Sequence, residues 1–294
     1  MLALIVGQGA LPRAVAEAQP TAPLVCALQG YLPDGLTPDI TFRIETLGSL
    51  IADLRARGVT RICLCGRIRR PRIDVAALDD LTLPLVPRLR DALQAGDDGA
   101  LRVVIALFQE SGFEVVAAQE AAPSLLPPAG VPTAAEPAEE TAADVVAGDA
   151  MLAQMGRADL GQACVILGGK VIAQEDDSGT DAMVAGLRTR PQSSASDPFN
   201  WVMDQAGDLL GDAADWLSGT DGRRRGVLFK APKPGQDRRA DLPTIGPGTV
   251  AAVARSQLAG IVIEAGGVIV LDQSQVLAAM DRAGLFLWVR EARA

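Results

Sequence analysis

A chain of 294 residues, 49% hydrophobic but only 3% aromatic, with a formal net charge of −9, has the length of two ordinary domains and the aliphatic bulk of α/β layers. The acidic balance excludes general binding to nucleic acid, which needs a basic surface. Histidine is absent, which removes Ser–His and Cys–His triads, imidazole bases and His-ligated zinc together. Acid–base work falls to Asp, Glu, Lys, Tyr or Cys, and any metal must be held mainly by oxygen.

The first half alternates strands with helices. "LALIV" (2–6) reads as a buried strand that turns through Gly7 and Gly9 into a helix, and "LVCAL" (24–28) as a second strand. "GSLIADLRARG" (48–58) has helical apolar spacing, "RICLCG" (61–66) is a third strand, and two helices, "LVPRLRDALQAG" and "ALRVVIALFQESG", lead to a fourth strand at 113–118. This order predicts a Rossmann-like parallel sheet over residues 1–128. The Pro-, Ala- and Glu-rich stretch 129–141 reads as a linker.

Residues 142–294 predict a mixed α/β domain. It opens with a helix, then "ACVILGGKVIAQE" (163–175) as a strand–GG–strand hairpin. A helix from "GTDAM", a strand "GVLFK" (226–230) and a helix "GTVAAVARSQLAG" follow. "IVIEAGGVIVLD" reads as a second GG hairpin before a final helix. The stretch at about 191–224 stands apart: it holds Trp201 and Trp216, and places Trp201, Met203, Leu209, Leu210, Ala213 and Leu217 roughly on one helical stripe with acidic residues opposite; it reads as an appended helical insertion, or as a lid over a greasy substrate.

Cys26, Cys63, Cys65 and Cys164 all lie in apolar runs and read as buried thiols in a reducing compartment. The apolar start is broken by Gly7 and Gln8 and has no basic flank, so the reading is a cytoplasmic protein able to touch a membrane surface.

Four segments carry candidate chemistry. "FKAPKPGQDRRADLPTIG" (229–246) closes a strand with Lys230, holds Lys233 between two prolines and sets Asp241 among apolar residues and proline. Fixed cations suit phosphate oxygens; a carboxylate in such surroundings needs a cation or a metal. "QEDDSGTDAM" (174–183) gathers Glu175, Asp176, Asp177 and Asp181 around a Ser-Gly turn, with Gly179 allowing the turn and Thr180 opening the next helix. This fits an oxygen-bound Mg²⁺ with a phosphate, or an ordinary acidic loop with a helix cap. "VGQGALP" (6–12) and the basic "GRIRRPR" (66–72), which starts at Gly66, lie at carboxyl ends of strands, where open α/β sheets bind ligands. Together these segments predict a phosphate-bearing ligand in a cleft between two domains.

These motifs, with "GDDGALR" (96–102) and "LAGIVIEAGGVIVLD", resemble in order and over nearly the whole chain the LpxI-type UDP-2,3-diacylglucosamine diphosphatases (pyrophosphatases) of lipid A biosynthesis. The stretch at about 191–224 is outside the resemblance, and Gln8 stands where the family more often has glycine. The resemblance implies a homodimeric enzyme of the cytosolic face of the inner membrane, with no nucleic-acid partner. It implies that water attacks the α-phosphorus of the lipid-linked UDP-sugar, giving UMP and lipid X, with Mg²⁺ or another divalent cation such as Mn²⁺. The family's essential aspartate falls on Asp241, and Asp181, Lys230 and Lys233 fall on motif positions at the active site. On that footing Asp241 and Asp181 hold the metal, Lys230 and Lys233 meet the pyrophosphate, and Gly7, Gly9, Gly66, Gly179, Thr180 and Thr244 contact substrate. The alternative is a binding protein for a nucleotide sugar or phosphorylated lipid that does not turn it over.

Overall fold

Aliphatic five-residue runs make the central strands because both faces of a parallel sheet are covered by helices. The computed structural model describes residues 1–68, 73–94, 96–158, 161–176, 178–187, 226–233, 238–239 and 242–292. The chain forms two units. One takes Met1–Leu125, with Arg238, Arg239 and Leu242 from later in the chain; the other starts at Leu126.

In the first unit, β1 (Leu2–Val6), β2 (Leu24–Leu28), β3 (Ile40–Phe42), β4 (Arg61–Cys65) and β5 (Glu114–Val116) form an all-parallel sheet in the order β3-β2-β1-β4-β5. The order reverses between β1 and β4, the switch point where such sheets place their ligands. Helices α1 (Leu11–Glu17), α2 (Leu47–Ala56), α3 (Val86–Gln94) and α4 (Gly96–Glu110) connect the strands, and α5 (Ala118–Ala121) follows the last of them. Leu54, Ile62, Ile105 and Phe108 are fully buried in one core, where Phe108 meets Phe113 edge-on with ring centres 6.1 Å apart. The sequence pattern did not predict β3, because three residues are too few to show alternation.

The second unit is built from α6 (Thr141–Arg157), β6 (Ala163–Leu167), β7 (Lys170–Gln174), α7 (Thr180–Gly186), β8 (Val227–Lys230), β9 (Thr244–Ile245), α8 (Pro247–Arg255), β10 (Gly260–Glu264), β11 (Ile269–Val270), α9 (Gln273–Ala283) and β12 (Phe286–Arg290). Its main sheet runs β12-β10-β8-β6-β7, with β12, β10 and β8 parallel and β6 and β7 antiparallel to their neighbours. It is therefore mixed, as the two GG turns predict only in part. β6 and β7 do form the expected hairpin, but "IVIEAGGVIVLD" does not. β10 already has β8 and β12 on its two sides, so no edge remains for β11. β11 instead pairs in parallel with β9, drawing Thr244 and Ile245 into a small ribbon of its own. β12 was not expected either.

The stretch 129–141, expected to be a linker, is built into the second unit. Gly130 and Val289 exchange both backbone hydrogen bonds at 2.9 Å. The Thr133 hydroxyl accepts from Leu287 N at 2.9 Å and donates to Ala135 O at 3.0 Å. Asp281 accepts from Ala134 N at 2.8 Å. The edge strand β12 has backbone groups to satisfy, and this segment satisfies them. The stretch at about 191–224 lies outside the described residues. Among the described residues no helix is long and apolar enough to cross a membrane.

Candidate functional site

At the switch point of the first unit, the turns after β1 and β4 are laced backbone to backbone. Gly7 N donates to Cys65 O at 2.9 Å, and Gln8 and Arg67 exchange bonds of 2.9 and 2.8 Å. A Cβ on Gly7 would stand 2.5 Å from Arg67 O, and one on Gly66, whose φ is +91°, 2.7 Å from Gly7 O. The fold itself therefore requires both glycines. Gly9 differs: its φ is +100° and a Cβ there would meet nothing within 4 Å, so backbone and open space face each other.

In the second unit the chemistry gathers at the carboxyl end of the central strand β8. Lys230 is its last residue and is only 7% exposed. Its Nζ donates to Thr180 Oγ1 at 2.7 Å. Thr180, itself buried, opens α7 after Gly179, whose φ of +88° turns the chain from β7 into the helix. Thr180 Oγ1 in turn meets Glu175 Oε1 at 2.5 Å, and Glu175 Oε2 accepts from Gln162 N at 2.7 Å. An ammonium can only donate and a carboxylate can only accept. The hydroxyl must therefore accept from Lys230 and donate to Glu175. Its single proton is committed, so in this arrangement Thr180 orients the lysine.

Asp181 is exposed in the first turn of α7, with Oδ2 3.7 Å from where a Cβ on Gly248 would stand, beside the start of α8. A helix start favours a carboxylate. The neighbouring Asp176 carboxylate is held below its ordinary range by the Ser178 hydroxyl and then by the Ser178 N–H, which donates at 2.9 Å. Ala231 and Pro232 are buried and Lys233 is half-buried. Thr244 is half-buried in β9, which is fixed to β11 by Ile269 N to Pro243 O and Leu271 N to Ile245 O, both 2.9 Å. Asp241 lies outside the described residues.

On the opposite face of β8, Arg290 packs its guanidinium 5.3 Å from the Phe229 ring centre. It donates to Asp149 Oδ1 at 2.6 Å and Glu264 Oε2 at 3.1 Å. This buried ionic cluster ties α6 to the ends of β10 and β12. The thiols have no such polar support. Burial pushes Cys26 and Cys164 up to about 12, and a hydrogen bond with Cys63, then burial, raises Cys65. These three are structural rather than nucleophilic.

Among the described residues no group of three or more His, Cys, Asp or Glu side chains gathers as a ready metal cage. An exposed carboxylate such as Asp181 still suits Mg²⁺, which is commonly held by one or two carboxylates together with substrate phosphates.

Sequence reasoning placed Lys230 and Thr180 in the site, and the structure brings them together. Glu175 was singled out only as one member of an acidic run. What could have marked it is its place: directly after a strand and five residues before the helix-opening threonine.

Comparison with known proteins gives two matching family models. The LpxI N-terminal domain matches residues 1–125 and the LpxI C-terminal domain residues 128–288. The chain is also 36% identical over 291 residues to the UDP-2,3-diacylglucosamine pyrophosphatase LpxI of Caulobacter vibrioides, covering 97% of this chain and 96% of that protein.

Proposed function

The chain belongs to the LpxI family, and from that membership we propose that it hydrolyses the pyrophosphate of UDP-2,3-diacylglucosamine to UMP and 2,3-diacylglucosamine 1-phosphate. The structural observation that carries the reading is the buried Lys230, held by Thr180 at the carboxyl end of the central strand. A cation placed in advance, away from bulk water, stabilises the charge that builds on phosphate oxygens as the bond breaks. Water adds to the α-phosphorus, the bond to the bridging oxygen breaks, and the sugar phosphate leaves with the electron pair. A proton of the water is released to solvent through a carboxylate.

Lys230 and Lys233 take the pyrophosphate in this reading. Asp241 orients the attacking water, and Asp181 with Asp241 would hold Mg²⁺ or Mn²⁺, which supplies charge neutralisation on the phosphates when bound. Thr244 and the Gly9 turn contact the remainder of the substrate, whose two acyl chains keep it at a membrane surface. The enzyme accordingly works as a homodimer in the cytoplasm, in peripheral contact with the inner membrane. A binding protein without turnover is the less favoured reading, because the match to a pyrophosphatase runs through both domains.

The test is UMP release from UDP-2,3-diacylglucosamine with and without EDTA, for wild type and Asp241→Ala. We expect release that stops on chelation and falls at least about 100-fold in the variant, the scale of losing a group that acts in the transition state. Folded wild type that releases no UMP in the presence of Mg²⁺ would overturn the assignment.

A further inference from the structure

The bonds at Lys230 do not end at Thr180. We propose that Glu175 is a positioning residue of the reaction, acting on Lys230 through the Thr180 hydroxyl; this role rests on the hydrolase reading above. Three facts about Glu175 carry it. Its Oε1 takes the proton of Thr180 at 2.5 Å, its Oε2 takes Gln162 N at 2.7 Å, and its own N donates to Ala163 O at 2.9 Å. The carboxylate is thus pinned at both oxygens, to Thr180 at the start of α7 and to Gln162 just before β6, which pairs with β8.

The chain makes room for this. A Cβ on Gly161 would fall 2.5 Å from Glu175 Cγ and 2.8 Å from its Oε2. Any larger residue there would displace the side chain. The carboxylate therefore lies across the backbone of the preceding turn, where its reach to Thr180 is fixed by the sheet.

The direction of the bonds gives the function. A threonine hydroxyl rotates freely about its C–O bond, and left alone it could turn its proton toward a phosphate or toward the lysine. Glu175 removes that choice. With the proton drawn to the carboxylate, lone pairs face Nζ, and one ammonium N–H is held at 2.7 Å. Bonds to ionised groups are short and directional. Fixing one N–H of a tetrahedral ammonium fixes the directions of the other two. A lysine stem is otherwise flexible at several torsions, and a misplacement of about 1 Å at such a group can cost about 100-fold in rate.

The experiment is steady-state UMP release by Glu175→Ala, Glu175→Gln, Thr180→Val, Thr180→Ser and the double variant Glu175→Ala/Thr180→Val, each with its melting temperature. The role predicts that Glu175→Ala and Thr180→Val each lower kcat by about 10- to 100-fold while KM moves by less than about 3-fold. Thr180→Ser, which keeps the hydroxyl, should return to within about 3-fold of wild type, and the double variant should be no slower than Thr180→Val alone. Glutamine keeps one of the two bonds of Glu175 and should fall between. Wild-type kcat in Glu175→Ala overturns the role, as do losses that multiply in the double variant. If Glu175→Ala does not fold, Glu175→Gln decides, with unchanged kcat again overturning it. Wild type that releases no UMP removes the hydrolase reading itself, a separate result from a Glu175 variant that is as fast as wild type.

Discussion

At the scale of single residues, the clearest charge coupling is away from the site. Glu45 is 3% exposed, and its Oε2 accepts from Arg43 Nε at 3.1 Å while its Oε1 accepts from Asp74 N at 2.7 Å. The Arg43 bond, against the opposing effect of burial, lowers it from an ordinary 4.5 to about 2. The folded value lies below the unfolded one. The stabilisation is therefore fully present above about pH 4.5 and is lost as pH falls toward 2. Arg43 is nearly half exposed, so solvent screens much of the pair. We expect Glu45→Gln to cost about 1–2 kcal/mol at pH 7. In urea titrations the gap to wild type should narrow below pH 4.5 and close near pH 2. A gap that stays constant with pH would show that the carboxylate's charge has no part in it.

At the scale of elements, the turns after β1 and β4 depend on glycines that hold two backbones together. Gly66→Ala meets both a left-handed φ of +91° and the Gly7 carbonyl at 2.7 Å, whereas Gly58→Ala meets a φ of +74° with nothing within 4 Å. The first should cost more than about 2 kcal/mol and the second about 1 kcal/mol. Equal losses of melting temperature would mean that the contact between the turns yields freely. The same comparison explains what the sequence made legible. Runs such as "LALIV" and "RICLC" announce buried strands because both faces are apolar, and Gly7 and Gly66 announce tight turns. The partner of a turn is not local information. "IVIEAGGVIVLD" has the residues of a hairpin, but β8 and β12 take both sides of β10. β3 is too short to show a period, and the strand role of "FLWVR" depends on the edge that β10 offers. At the site, Lys230 and Thr180 were readable as a strand end and a helix start. The link from Thr180 to Glu175 was not, because it depends on the angle at which β7 turns into α7.

At the scale of the whole molecule, the missing histidine becomes a prediction. Histidine is the side chain whose ordinary value puts its titration near neutrality, and this chain has none. Three thiols are pushed up, away from neutrality: Cys26 and Cys164 to about 12 by burial, and Cys65 by its hydrogen bond with Cys63 and then by burial. The carboxyls of Glu45, Asp79, Glu110 and Asp176 are shifted downward, away from neutral pH, whereas burial raises that of Asp144. Asp144 apart, these shifts run away from pH 7, and stability there should vary little by linkage. The melting temperature should vary by less than about 2 °C between pH 6 and 8, a span in which a 1 kcal/mol change would be visible in a chain of this size. The pH profile of kcat/KM should show no bell across the same window. A bell centred near pH 7 would require a carboxylate or lysine displaced by several units toward neutrality, and Asp241 would be the first residue to substitute in search of it.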